Sequence, residues 1–264
     1  MAGSWKVGID VGGTFTDVVA MDAQGNNVRT AKVLTRATDP VGGIEAACRS
    51  VSIELDDVSD LILGTTMATN AIVEGRLAKT ALITTKGFAD TIDIGRQNRR
   101  ELYRMEVTPR PAPLVPGELR FEAEERLDSE GRDVVPLAAG EAARLAREVK
   151  NSGAEAVAVC LLHSYAEGSH ESAIGGALKA ETPFVALSHE LNPEPREFER
   201  TNSTILNAAL MPAVSRYVRR LEQRVNGHTG LHLFHSAGGM AATGAVEARP
   251  LSMALSGPAA GVAA

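Results

Sequence analysis

The sequence predicts an α/β protein built on a mixed sheet with helices on its faces, and three observations carry that prediction. Three alternating, β-branched segments open the chain at residues 5–11, 14–21 and 27–35, separated by turn signals at Gly12-Gly13 and at 22–25. Beyond residue 39, helix-like and strand-like segments alternate, the pattern of strands whose faces are covered by helices. The composition is that of a globular chain: 264 residues, 44% hydrophobic and 23% charged, with no apolar run near the roughly 20 residues that span a bilayer.

Each element has a local cause. Asp39 before Pro40 predicts a helix start, Asp as the cap and Pro in the first turn, with Ile44, Ala47, Cys48 and Val51 at helical spacing. Residues 61–63 read as a short buried strand, 67–74 as a helix stopped by Gly75, and 81–83 as another strand. The order is therefore β-β-β-α-β-α-β. Residues 96–117 carry Arg96, Arg99, Arg100 and Arg104, then four prolines between 109 and 116, and read as a loop or insertion. A hairpin is expected from 118–127 and 133–136 around the turn at 128–131. A helix at 141–150 with Gly153 beyond its end, a strand at 156–162, a helix at 169–179 and a strand at 184–187 follow. From Arg200 the helical signal is strong, and Pro212 is expected to divide it. Arg216, Arg219, Arg220 and Arg224 read as its solvated face. Residues 231–234 form a last strand, on which His232 and His235 face opposite ways, against a shared metal site with His228.

Charge and cysteine usage exclude whole classes. Lys and Arg number 27 against 33 Asp and Glu, a net charge of −6 that disfavours a nucleic-acid partner. Two cysteines, Cys48 and Cys160, make no disulfide framework, and no leader-like segment opens the chain, so a cytoplasmic protein without a membrane partner is expected. No Gly-x-Ser-x-Gly elbow supports covalent hydrolysis.

The densest chemistry lies at residues 8–17, GIDVGGTFTD. Two strands meet at Gly12 and Gly13, whose consecutive N–H groups can form a concave anion nest, and Thr14 and Thr16 add hydroxyls. Asp10, at the end of the first strand, could hold Mg²⁺ through water. The plain alternative is a type I′ hairpin with strand-favouring threonines. A motif of this kind on the first hairpin of a β-β-β-α-β-α-β order is the pattern of the ribonuclease-H-like nucleotide-binding fold of sugar kinases, actin and Hsp70.

The segment 63–74, LGTTMATNAIVE, makes the pattern specific. With GIDVGGTFTD, TALITTKGF at 80–88, DIGRQNRRELY at 93–103, LLHSYAEGSHE at 161–171, PREFERTNSTILN at 195–207 and SGPAAGV at 256–262, the sequence resembles the hydantoinase A and 5-oxoprolinase family, which includes β-type subunits of acetone carboxylases. The resemblance implies an ATP- and Mg²⁺-dependent enzyme that phosphorylates a carbonyl oxygen of a small cyclic amide so that water can open the ring. It also implies a B-type partner subunit, and a homo-oligomer is compatible with it. The alternatives are a ketone carboxylase subunit and a nucleotide-binding module without turnover. One departure is Gly168, where the family usually has Pro, and no role is carried over to His170.

The resemblance further implies that Asp10, Gly12, Gly13, Thr14 and Thr16 hold nucleotide phosphates and the metal, with Asp17 supporting the hairpin. Gly238, Gly239, Ser256 and Gly257 are expected to approach the cleft from a second lobe. Arg96 and Asn98 are substrate candidates, as are Thr65, Thr66 and Asn70, which stand between a strand end and a helix start. Capping is the plain reading of Thr65, and a solvated basic loop that of Arg96. The acidic residues Glu194, Glu197 and Glu199 read as favourable neighbours of a helix N-terminus. No catalytic base is assigned. The expected organisation is a ribonuclease-H-like domain over 1–187, with an insertion near 97–136, and the start of a second lobe over 188–264. An incomplete clamp of this kind is expected to bind ATP weakly and to lack activity by itself.

Overall fold

The computed structural model describes residues 5–36, 39–98, 103, 105, 111–225 and 227–256. In chain order the elements are β1 (Trp5–Val11), β2 (Phe15–Asp22), β3 (Val28–Leu34), α1 (Pro40–Ser50), β4 (Val58–Thr65), α2 (Met67–Val73), β5 (Thr80–Thr85) and α3 (Thr91–Ile94). There follow β6 (Arg120–Ala123), β7 (Arg126–Leu127), β8 (Asp133–Val135), α4 (Glu141–Ser152), β9 (Ala156–Cys160), α5 (Ser169–Leu178), β10 (Val185–Leu187) and α6 (Ser188–Leu191). The chain closes with α7 (Glu197–Arg224), β11 (Gly230–His235), β12 (Gly239–Ala242) and α8 (Thr243–Ala248). The molecule is thus a mixed α/β protein. It comprises two compact units, residues 1–76 with 213–264, and residues 77–212. None of the described helices is long and apolar enough to cross a membrane.

The first unit holds a six-stranded sheet in the order β12-β11-β4-β1-β2-β3. β1, β2 and β3 are antiparallel neighbours, while β4 runs parallel to β1 and β11 parallel to β4. In β1, Val7, Ile9 and Val11 are buried and Asp10 is exposed, the alternation of a sheet with one face on the core. α1 covers that core with Val41, Ile44, Ala47 and Cys48, and Asp39 caps it by accepting from the Gly42 N–H, as the sequence predicts. On the opposite face Phe15, Val19, Met21, Val28, Leu34 and Met240 stay exposed beside Asp10.

The second unit is built on a parallel four-stranded sheet, β10-β9-β5-β6. Every residue of β5 and of β9 is buried, because strands at the centre of a helix-covered parallel sheet have no solvent side. One core packs Ile83, Val157, Val159 and Leu161 against Leu145 and Val149 of α4 and Ile174 and Leu178 of α5. A second packs Leu82, Ala158 and Cys160 against Ile205 and Ala208 of α7.

Four sequence expectations change. β5 does not extend the sheet of β1–β4; the neighbour of β4 is β11, and β5 starts a sheet of its own. The continuous burial of β5, against the alternation of β1, is the physical distinction. The expected hairpin from 118 is split. β6 lies parallel to β5, and only β7 and β8 pair antiparallel, around the turn at Asp128–Gly131, where Gly131 takes a positive φ of 79°. Pro212 does not divide α7, which runs unbroken for 28 residues. Neither Gly12 nor Gly13 has a positive φ, so their turn is not type I′.

Candidate functional site

In the first unit β1, β4 and β11 run parallel and end together. Val11 pairs with Thr65, and β11 stops at His235, two residues past its Leu233–Leu63 pair. The β1–β2 turn, the start of α2 and the β11–β12 turn therefore gather at the carboxyl end of one parallel ribbon, where α/β sheets place ligands.

The β1–β2 turn closes through Gly12 N–H donating to the Phe15 carbonyl at 3.0 Å. A side chain on Gly12 would stand 2.9 Å from that carbonyl, which is why glycine is needed there. Gly13 differs: a Cβ on it would meet nothing within 4 Å. Because Gly12 spends its N–H inside the turn, the amides left for an anion are those of Gly13 and Thr14, which make no hydrogen bond among the described residues. The unbonded amides are displaced by one residue from the Gly12-Gly13 pair that the sequence suggests.

Asp10 lies beside this turn, in register with Gly64 on β4 and Asp17 on β2. Its carboxylate rests over Gly64, where a Cβ would come within 2.9 Å of Oδ1. Asp17 is neutralised by Lys32 at 2.7 Å, whereas Asp10 has no hydrogen-bond or ion-pair partner among the described residues. With Asp17 already paired, Asp10 is the carboxylate of this cross-strand pair left to face a cation. Among the described residues no group of three His, Cys, Asp or Glu could hold a metal. A single carboxylate and an open turn suit a cation that keeps most of its water, and Mg²⁺ is such an ion.

The threonines divide by face. Thr14 is exposed, and its carbonyl accepts from the Thr35 N–H at 2.9 Å. Thr16 is buried, its hydroxyl 3.0 Å from that of Thr35, which donates to the Gly12 carbonyl at 2.9 Å. Thr16 thus braces the turn from beneath. Thr35 was not singled out by any motif, and completes that chain.

Thr65, Thr66, Asn70 and Ser256 form one bonded cluster next to β1. Thr66 N–H reaches the Val11 carbonyl at 3.2 Å, Asn70 donates to the Thr66 hydroxyl at 3.2 Å, and the Ser256 hydroxyl donates to the Thr65 carbonyl at 3.3 Å. The Thr65 hydroxyl accepts from Met67 N–H at the start of α2, one residue before the cap position, which Thr66 holds without a side-chain capping bond. Gly238 takes a positive φ of 81° in the β11–β12 turn, and a Cβ on Gly239 would press on His235 at 3.0 Å. Gly257 lies outside the described residues.

Arg96 and Asn98 belong to the second unit, and both are exposed. Arg96 pairs with Glu199 through Nε and lies over the Phe198 ring. That pairing holds the Glu199 carboxyl below its usual range.

The second unit also contains a buried polar system for which the sequence suggests no role. Glu171, fully buried, accepts from Leu161 N–H at 2.8 Å, from the Ser164 and Ser188 hydroxyls at 2.8 and 2.6 Å, and from His189 N–H at 2.9 Å. His189 Nδ1 lies 2.7 Å from it. Burial pushes the Glu171 carboxyl up, but bonds from His189, Ser188 and the backbone outweigh it and leave the group below its usual value. The hydrogen bond to Glu171 raises the His189 imidazole above its usual value. Beside it, His170 Nδ1 lies 2.8 Å from buried Glu125, which also accepts from Thr85. Gly168 is explained here: a Cβ would stand 2.3 Å from the His189 ring. The one visible signal was that His170, Glu171 and Arg200 fall inside motif segments.

Relatives agree with this architecture. An uncharacterised protein of Methanocaldococcus jannaschii is 38% identical over all of this chain and 40% of its own length. The α subunit of caprolactamase from Pseudomonas jessenii is 31% identical over 97% of this chain and 38% of its own. The crystal structure of that ATP-dependent caprolactamase superposes with a TM-score of 0.82 at 30% identity, over 96% of this chain and 39% of the other. A nucleotide-free acetone carboxylase shares the fold, with a TM-score of 0.81 at 24% identity over 98% of this chain and 40% of the other. The chain thus spans about two fifths of the length of these relatives. Residues 6–182 match the hydantoinase/oxoprolinase N-terminal region and residues 200–264 the hydantoinase/oxoprolinase domain, so the chain belongs to the hydantoinase/oxoprolinase family.

Proposed function

We propose that this chain is the phosphate-binding part of an ATP-dependent hydrolase of cyclic amides, of the hydantoin or 5-oxoproline type. The observation that carries the reading is the unpaired Asp10 carboxylate, seated over Gly64 beside the open Gly13-Thr14 amides at the end of a parallel ribbon. The order β3-β2-β1-β4, antiparallel and then parallel, with β11 added in parallel, fits a ribonuclease-H-like sheet. That the caprolactamase relative is ATP-dependent supports the choice of nucleotide.

In this reading Asp10 holds Mg²⁺ through water, and the Gly13 and Thr14 amides with the Thr14 hydroxyl receive phosphate oxygens. Gly12, Thr16 and Thr35 fix the turn. Thr65, Thr66, Asn70 and Ser256 brace the neighbouring strand end, and Gly238 and Gly239 let the β11–β12 turn come close. Arg96 and Asn98 serve the substrate, and a B-type subunit completes the reaction. ATP, when bound, supplies the phosphoryl group that makes an amide carbonyl open to water.

The test is ATP turnover by the whole protein with its partner subunit, offered hydantoin, 5-oxoproline, or acetone with bicarbonate. Turnover that depends on a cyclic amide supports the reading. Bicarbonate-dependent turnover with acetone would replace it by a ketone carboxylase, and no turnover with any of the three by a binding module.

A further inference from the structure

We infer that Ser172 is an activated nucleophile, with His189 as its base and Glu171 behind it, and that it takes the acyl group of a small activated ester. The inference stands on the second unit alone and does not need the nucleotide reading. Ser172 Oγ lies 3.3 Å from His189 Nε2, and His189 Nδ1 lies 2.7 Å from Glu171 Oε2. A hydroxyl, an imidazole and a carboxylate in that order are the arrangement by which a weak serine nucleophile is activated. The carboxylate also selects the tautomer. Glu171, held below its usual value, is ionised at neutral pH and can only accept. In the neutral ring Nδ1 therefore carries the proton, and Nε2 keeps its lone pair for the Ser172 hydroxyl.

The fold holds the three groups together. His189 follows the carboxyl end of β10 in α6, and Glu171 and Ser172 lie in the first turn of α5. Glu171 is buried and fixed by the Leu161 and His189 N–H groups and the Ser164 and Ser188 hydroxyls, so it holds the ring from within. Ser172 is exposed, and its Oγ is open to a reagent from outside. Gly168 joins the same arrangement: its carbonyl accepts from the Ser172 N–H at 2.9 Å. A Cβ at 168 would stand 2.3 Å from His189 Cδ2 and 2.8 Å from Nε2, so the ring reaches Ser172 because position 168 has no side chain. In the step itself, Ser172 Oγ bonds to the ester carbonyl carbon and its proton passes to His189 Nε2. The bond from that carbon to the leaving alkoxide breaks, and the alkoxide takes the proton. No oxidant, reductant or further reactant is needed.

The test treats the 264-residue chain with p-nitrophenyl acetate over a range of pH and follows acetylation of each serine by peptide mass spectrometry. Ser169 is the internal reference, exposed in the same turn of α5 and bonded to Glu167 through its N–H. Ser172 should be acetylated about a hundredfold faster than Ser169 or more, the gain a positioned base supplies. The Ser172 rate should rise with pH and level off above the His189 titration read by NMR, because Nε2 accepts only when it carries no proton. That titration lies above the usual imidazole value: the bond to Glu171 raises it, burial opposes, and the charges of Glu171, Glu190 and Glu167 add to the rise. Arg200 of α7 reaches Ser188 in the same network, through Nη1 at 3.3 Å. His189→Asn should bring the Ser172 rate down to that of Ser169. That variant disturbs a buried network, so the wild-type comparison of the two serines and the wild-type pH profile are decisive without it. Equal rates at Ser172 and Ser169, or a Ser172 rate that climbs in step with hydroxide beyond the His189 titration, would overturn the inference. Ser172 would then be a surface hydroxyl that only steadies the ring.

Discussion

The two units put their polar residues to opposite uses. In the first, Asp10, Gly13 and Thr14 stand at the open end of a sheet, make few bonds to the protein and are separated by a few residues of sequence. In the second, Glu171, His189, Ser164, Ser188 and Arg200 are closed in, bonded to one another and drawn from 37 residues of chain. A group left unbonded at a surface is available to a ligand at little cost to stability. A group bonded in a core is part of the stability itself. Substitutions in the two units should therefore separate binding from folding.

The largest effect is expected in the closed system. Glu171→Gln removes the charge that faces His189 and should cost roughly 3–5 kcal/mol in urea unfolding. Its pH dependence has a definite sign. Glu171 sits below its usual value, so its contribution is present at neutral pH and is lost as pH falls through the lowered value. His189 sits above its usual value, so its contribution is present in mild acid and is lost as pH rises through the raised one. The wild-type unfolding midpoint should thus decline on both sides, and His189→Asn should flatten the alkaline side and weaken the acid side, because the His189 ring is the strongest of the groups that lower Glu171. A midpoint that rises from pH 6 to 9 would break the comparison.

Next in size is Gly168→Ala, which drives a methyl group to 2.3 Å from the His189 ring. It should cost about 1–3 kcal/mol and return the His189 titration, read by NMR, toward its usual value.

The paired glycines sharpen the contrast within one turn. Gly12→Ala meets the Phe15 carbonyl at 2.9 Å and should destabilise by about 1–2 kcal/mol. Gly13→Ala meets nothing and should leave stability within about 0.5 kcal/mol, yet weaken nucleotide binding. Equal losses of stability at both would contradict the geometry. Asp10→Asn should have the smallest effect on folding. It removes an exposed carboxylate that has no partner among the described residues, for a change of at most about 0.5 kcal/mol by thermal unfolding.

The first unit was largely legible in the sequence because its signals are local. The alternation of β1, the Asp39 cap and the glycine turn each lie within a window of a few residues. What the sequence could not show was which strand follows β4 in the sheet. That place is taken by β11, whose Gly230 lies 165 residues beyond Thr65 at the end of β4. Hydrophobic pattern identifies strands but not partners. Thr80–Thr85 is buried throughout, but its three threonines hide that mark of a parallel centre from the sequence. At the site, Asp10, Gly13, Thr14, Thr65 and Ser256 were readable as motif members. The division of labour between Gly12 and Gly13, and the burial of Thr16, depend on the turn's hydrogen bonds. In the second unit, Glu125 meets His170 and Ser188 meets Glu171 only after the sheet has formed, so no spacing announces them.

The measurement that bears most directly on the proposed nucleotide site is an amide NMR titration of the 264-residue chain with MgATP, repeated on Asp10→Asn. The structure predicts saturable shifts centred on Gly13 and Thr14, smaller at Gly12, whose N–H is already bonded, and lost or strongly weakened in the variant. Shifts absent from Gly13 and Thr14 in the wild type, or unchanged by Asp10→Asn, would contradict a phosphate and cation site at this turn.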